Sequence, residues 1–329
     1  MARRKVRTFG VEIELPFQPQ SVVEVLHDAF KKVKTPLRST FLPNCDDYWA
    51  YEHGCLNSWV LKRECRIVEI NTPPTARASS LRKTLEAIRE AVKGKRTIRA
   101  SAGTHVHIDV NDFSQKKLVQ LVCEMARLED FFFILQPKHR STNDFCRPLK
   151  EIFRSFIVED IKEGIGYFLE AKNIERDSSR GVRTLKQLKE KACHVLDFTF
   201  WTKPVRDRIR GYNTQGALGI FENCLIDKAE ALSFQALDDL GTVEFRLGNW
   251  SDSPDDNIHW PQLLRAFVNE IKKRKSPIPR PRCMSDFLKK IHAPEETKRW
   301  AMSRFRKRDR DFNPTFDIMD EDALIELEN

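Results

Sequence analysis

The stretch 6–15, VRTFGVEIEL, alternates apolar and polar residues and contains several β-branched side chains. That period of two predicts a half-buried strand rather than a helix. Side chains two apart on a strand leave it on the same side. Glu12 and Glu14 therefore project together, with Val11, Ile13 and Leu15 on the opposite face. Three further segments repeat the device. In THVHIDV, 104–110, His105, His107 and Asp109 share a side opposite Val106, Ile108 and Val110. In GTVEFRLG, 241–248, Glu244 and Arg246 share a side opposite Val243, Phe245 and Leu247. Residues 58–70 read as a further strand, with Glu69 on one face and Val68 and Ile70 on the other, ended by Thr72-Pro73-Pro74, which cannot continue a ladder.

Between these strands the period changes. Residues 21–34 and 79–92 carry apolar stripes at helical spacing, and so do 258–273. From Ser114 onward, Leu118, Leu121, Val122, Met125 and Leu128 recur at three and four, and the helical pattern runs to about Lys191. Strands separated by helices, with a long helical insertion over about 114–195 and no regular βαβ rhythm, predict the α+β class. Pro277, Pro279 and Pro281 mark a linker. The expected organisation is one domain over 1–276 and a C-terminal appendage over 277–329.

If the strands share one sheet, Glu12, Glu14, Glu69 and Glu244 gather on one face with His105. A single E-x-E or H-x-H on a half-exposed strand is ordinary solvated surface, and E-F-R alone is an ordinary cross-strand ion pair. Their combination is what points to chemistry. Two carboxylates about 4 Å apart repel by about 4 kcal/mol at an effective dielectric near 20, so four of them call for cations. Hard divalent ions with oxygen ligands suit the site, and an imidazole suits Mn²⁺ better than Mg²⁺. Arg246 adds a fixed positive charge, and that mixture matches phosphoryl transfer, which proceeds by positioning and charge neutralisation. His107 is either a second ligand or a residue that orients His105, and Asp109 belongs to the rim. No P-loop, kinase glycine loop or G-x-S-x-G occurs in the chain. Bound ATP would have its phosphates held by metals and arginines.

Composition narrows the setting. The chain has 329 residues, 40% hydrophobic and 32% charged, enough for a packed core. No apolar run approaches the roughly 18 residues a membrane span needs, and the eight cysteines form no C-x-x-C pair. A reduced, cytoplasmic protein is expected. The net charge of +9 is concentrated in one region. Residues 272–310 hold 15 Lys and Arg against 4 acids, while the last 19 residues hold 7 acids and no base. The basic segment is either a solvated helical face or a dock for a polyanion or an acidic partner.

The four segments, in this order, resemble the amidoligase family of carboxylate–amine ligases, the wider group that includes glutamine synthetase and glutamate–cysteine ligase. The resemblance runs through Gly10-Val11-Glu12-Ile13-Glu14-Leu15, Val68-Glu69-Ile70-Asn71-Thr72-Pro73-Pro74, Ala102-Gly103-Thr104-His105-Val106-His107 and Gly241-Thr242-Val243-Glu244-Phe245-Arg246. It implies a curved antiparallel sheet carrying an ATP–metal funnel. By this resemblance Glu12, Glu14, Glu69 and Glu244 fall on metal-binding positions, His105 on the metal-binding or nucleotide-facing histidine, and Arg246 on the arginine that contacts the phosphate in transfer, with His107 and Arg246 as cofactor-binding candidates. The implied reaction phosphorylates a carboxylate and then forms an amide with an amine. One departure concerns the family's R-Y-x-A-L-N stretch, which here reads Lys228-Ala229-Glu230-Ala231-Leu232-Ser233; Arg210 is the candidate to replace the lost guanidinium. Around Trp49, only Glu52 or His53 could supply the acid the family favours. Two rival functions are a metal-dependent hydrolase or nuclease using H-x-H with carboxylates, and a non-catalytic binding protein on a decayed ligase fold.

Overall fold

The computed structural model describes residues 7–15, 19–40, 58–64, 67–93, 103–140, 146, 148–149, 231–234, 236–251 and 253–307. Arg210, Glu52, His53 and most of the expected helical insertion lie outside them. The chain forms two units, Met1–Arg147 with Lys228–Asn329, and Pro148–Asp227; the described residues belong almost entirely to the first.

That unit is built on one sheet of seven strands: β1 (Phe9–Leu15), β2 (Leu37–Thr40), β3 (Trp59–Glu64), β4 (Ile67–Asn71), β5 (Gly103–Asp109), β6 (Leu232–Ser233) and β7 (Thr242–Asn249). Their order is β2-β3-β4-β1-β5-β7-β6. Six strands, β3 to β6 in that order, run antiparallel to their neighbours, and β2 joins the edge parallel to β3. With helices around it, the unit has the α+β class read from the sequence.

The alternation in β1 becomes a sheet with two different faces. Val11, Ile13, Leu15, Val68, Ile70, Val106, Ile108, Val243 and Phe245 are buried. Full burial of such a side chain stabilises by roughly 1.5–3 kcal/mol, so this face fixes the register of every strand on it. Helices α1 (Pro19–Lys32), α2 (Arg82–Val92) and α5 (Pro254–Lys273) pack against the sheet and one another. α5 starts with Pro254 in its first turn, followed by Asp255 and Asp256, the chemistry a helix N-terminus favours. The remaining helices are α3 (Gln115–Phe133), α4 (Leu237–Leu240), α6 (Met284–Lys290) and α7 (Glu295–Arg306).

Two expectations change here. Residues 58–70 are not one strand but a hairpin, with Glu64 opposite Ile67. The intervening pair Cys65-Arg66 is no turn dipeptide, so the polar–apolar rhythm ran through the reversal unmarked. The segment expected as an appendage also contributes to the core. Phe287 of α6 stacks on Phe131 of α3 at 4.7 Å and meets Phe132 edge-on at 5.3 Å. Asp256 of α5 accepts from Trp300 Nε1 at 2.7 Å and pairs with Arg304 at 2.5 Å, both on α7. No described helix is long and apolar enough to cross a membrane.

Candidate active site

Register decides which side chains meet. Glu12 of β1 lies between Asn71 of β4 and His105 of β5, and Glu14 lies beside Glu69. His107 lies opposite Glu244 of β7. Cross-strand partners share a face, so Glu12, Glu14, Glu69, His105, His107 and Glu244 all leave the sheet on the side away from the apolar core. Between Thr104 and Val106 the β5–β7 register slips by one residue, leaving Arg246 and Leu247 opposite His105 alone. Such a bulge bends the strand and re-aims a side chain. Arg246 meets Glu244 on the same strand, Nη1 to Oε1 at 2.5 Å.

His105 is at the centre. Its Nδ1 is 2.9 Å from Glu12 Oε1 and 3.1 Å from Glu244 Oε1, and its Nε2 is 3.7 Å from Glu14 Oε2. His107 Nε2 is 3.6 Å from Glu12 Oε2, and its Nδ1 faces Thr242 Oγ1 at 3.3 Å. His105 is only 2% exposed. Burial alone would favour its neutral form, but the charge of Glu14 and the hydrogen bonds to Glu12 and Glu244 overcome this and push its pKa up to about 10. His107 is raised in the same way: burial opposes the charge, and Glu12 and Glu244 outweigh it. Burial would raise the Glu12 carboxyl, yet His105 and His107 hold it well below the usual range. Glu244 is held down against burial chiefly by His105. Charge on His105 and the Arg246 guanidinium, 2.5 Å from Glu244, both offset the acid cluster.

The donor set fits divalent ions. Glu12, Glu14 and His105 offer ligand atoms within 4.8 Å of one another, and so do Glu12, His107 and Glu244, with Glu12 common to both groups. Carboxylate oxygens with one imidazole are a donor set for Mn²⁺ or Mg²⁺. Glu69 stands apart from both groups. Its Oε1 accepts from Asn71 Nδ2 at 2.5 Å and from Lys62 Nζ at 3.1 Å. Asp109 accepts from the backbone N–H and side chain of Asn111 and caps the end of β5, the rim position expected for it.

Three features escaped the sequence reading. Gly103 donates its N–H to Glu14 Oε2 at 2.8 Å, and a Cβ there would stand 2.6 Å from that oxygen and 2.8 Å from His105 Nε2. Lys62 and Asn71 flank Glu69; both were visible on their strands, but only register assigns them to it. Arg140 is a buried guanidinium behind β7, donating to the carbonyls of Leu247 at 3.3 Å and Arg246 at 2.6 Å. Nothing in its local sequence set it apart from other surface arginines.

A family model described as "Putative amidoligase enzyme" matches residues 5–164, a span that holds β1 to β5 and α3. Searches of curated proteins and of solved structures returned no match. Residues 5–164, with the acid–histidine cluster of β1 and β5 inside the matched span, are thus similar to the amidoligase family.

Proposed function

We propose that the protein is an ATP-dependent carboxylate–amine ligase. The observation that carries this reading is the convergence of Glu12, Glu14, His105, His107, Glu244 and Arg246 on one sheet face, in a chain whose residues 5–164 match the amidoligase family model. A face of carboxylates with a guanidinium at its edge suits a reaction whose demands are phosphate positioning and charge neutralisation.

In this reading a carboxylate oxygen of the acid substrate attacks the γ-phosphorus of ATP. The O–P bond of the acyl phosphate forms and the bond to ADP breaks. An amine then attacks the acyl carbon, the C–N bond forms, phosphate departs with the C–O electron pair, and the amine loses a proton. Divalent ions held by Glu12, Glu14, His105, His107 and Glu244 would supply Lewis-acid neutralisation of the phosphate oxygens. Arg246 contributes a permanent charge, and the carboxylates around it outweigh burial and raise its pKa further. Glu69, engaged by Lys62 and Asn71, secures the flank of Glu14 and contributes to metal binding only through rearrangement. The glutamine synthetase-like curvature of the sheet, Mg²⁺ or Mn²⁺ as the ion, and a cytoplasmic setting are part of the same proposal.

The test is an ATP- and Mg²⁺- or Mn²⁺-dependent hydroxamate assay against a panel of amino acids and peptides, with hydroxylamine as the amine. Hydroxamate and ADP should appear together, and Arg246→Ala should lower turnover by about 10²-fold or more, the scale seen when one charge-stabilising donor is lost. Metal-dependent hydrolysis with no nucleotide requirement would replace this reading with the hydrolase alternative.

A further inference from the structure

Arg140 is among the largest fully buried side chains of the molecule, 2% exposed. It follows α3 at the end of a short 3-10 turn and extends behind β7. Among the described residues no carboxylate pairs with it. Its guanidinium instead donates Nε–H to the Leu247 carbonyl at 3.3 Å and Nη2–H to the Arg246 carbonyl at 2.6 Å. These are the two residues that stand opposite His105 alone where the register slips. A bulge disrupts the ladder and leaves backbone groups in need of partners, and a planar two-pronged donor can serve two adjacent carbonyls where a lysine cannot. Burying a cation for packing alone would be costly. Glu14 and Arg246 are the site charges close enough to act on it.

Arg246 itself is only partly satisfied. Its Nη1 is on Glu244, but its Nε is buried with no partner among the described residues. An unpaired buried donor beside an acid cluster has a use if an oxyanion arrives there.

We propose that Arg140 is the positioning residue for Arg246. It clamps the bulge carbonyls from behind, fixes Arg246 against Glu244, and keeps the Arg246 Nε–H available to a phosphoryl oxygen. The proposal rests on the ligase reading for the identity of the anion, the polyphosphate of a nucleotide, and adds a residue that neither motif nor family match assigns. Arg140 does not touch the substrate; it acts through Arg246.

The experiment is a double-mutant cycle on the full chain, with Arg140→Met, Arg246→Ala and the pair. Binding of a non-hydrolysable ATP analogue with Mg²⁺ is measured by calorimetry, alongside hydroxamate turnover and Mn²⁺ affinity. Arg140→Met should weaken analogue binding by about tenfold, and the double variant should match Arg246→Ala alone within about twofold, the non-additivity expected of residues acting as one unit. Mn²⁺ affinity of Arg140→Met should stay within about twofold of wild type, since the carboxylates are untouched. Should Arg140→Met not fold, Arg140→Lys, which keeps the charge and loses the two-pronged bond, takes its place in the same cycle. Losses that multiply, or an Arg140 variant that binds as wild type, would overturn the proposal. Coupled losses in binding with no hydroxamate from wild type would sustain Arg140 and defeat only the ligase reading. No analogue binding by wild type would defeat both.

Discussion

At the scale of single residues, the site depends on which atoms are allowed to approach. Gly103 shows this best. Its N–H serves Glu14, and the space where a side chain would start is taken by Glu14 Oε2 and His105 Nε2. Gly103→Ala forces both groups back. Overpacking of this kind costs about 1–3 kcal/mol. The variant should therefore melt several degrees lower than wild type, and its Mn²⁺ affinity should fall together with its stability. Unchanged melting and unchanged affinity would show that the cluster is looser than its distances indicate. Gly10 makes a useful control, because a Cβ there meets only Thr72 O at 3.9 Å and His107 Cβ at 4.0 Å; Gly10→Ala should be tolerated. The sequence made the paired carboxylates legible because the period of two is visible in it. Gly103 stands within the segment Ala102–His107, but its role depends on a carboxylate 89 residues away in the chain, which periodicity does not report.

At the scale of elements, α5 and α7 are joined through one carboxylate. Asp256 takes hydrogen bonds from Ser251, Trp300 and Arg304. Burial works to raise its pKa, and these partners, led by Arg304, outweigh it and lower it from the usual 3.8. A depressed carboxyl contributes stability above the unfolded pKa and loses it as pH falls through the folded one. Asp256→Asn should lower stability at pH 7 by about 1–3 kcal/mol, the range for losing charged hydrogen bonds in a partly buried site. The gap to wild type, followed by thermal melting, should begin to narrow below about pH 4 and close only as pH falls through the lower pKa of the folded state. A gap that persists into acid would locate the effect in packing instead. Elements were legible in proportion to how far their pattern differed from their surroundings. The three core strands are legible from their period-two alternation, and α5 from an apolar stripe at helical spacing. The β3–β4 reversal was missed because no turn residue marks it, and β2 because four residues carry too little periodicity.

At the scale of the whole molecule, the basic segment after Pro277 belongs to the fold. Its charge is on the surface, while Phe287, Leu288, Ile291, Ala301 and Phe305 are buried. Composition made the segment look separable because lysine and arginine outnumber those apolar positions. A chain ended after residue 276 would uncover Phe131 and Phe132 and lose the partners of Asp256. It should be insoluble or melt far below the full chain. A cooperative, equally stable 1–276 fragment would show the segment to be dispensable. The same scale carries the site: strands from 9–15, 67–71, 103–109 and 242–249 meet only because one sheet orders them β4-β1-β5-β7. That order could not be read from the sequence, and it turns four modest motifs into one cluster.

The central claim is that this face holds divalent cations, with Glu12 shared between two groups of ligands. Mn²⁺ binding to metal-stripped protein, followed by electron paramagnetic resonance for wild type and Glu12→Gln, tests it most directly. The account predicts saturable binding by wild type and loss of all tight binding in a Glu12→Gln protein that remains folded by circular dichroism. Equal Mn²⁺ binding by the two proteins, or none by wild type, would contradict it.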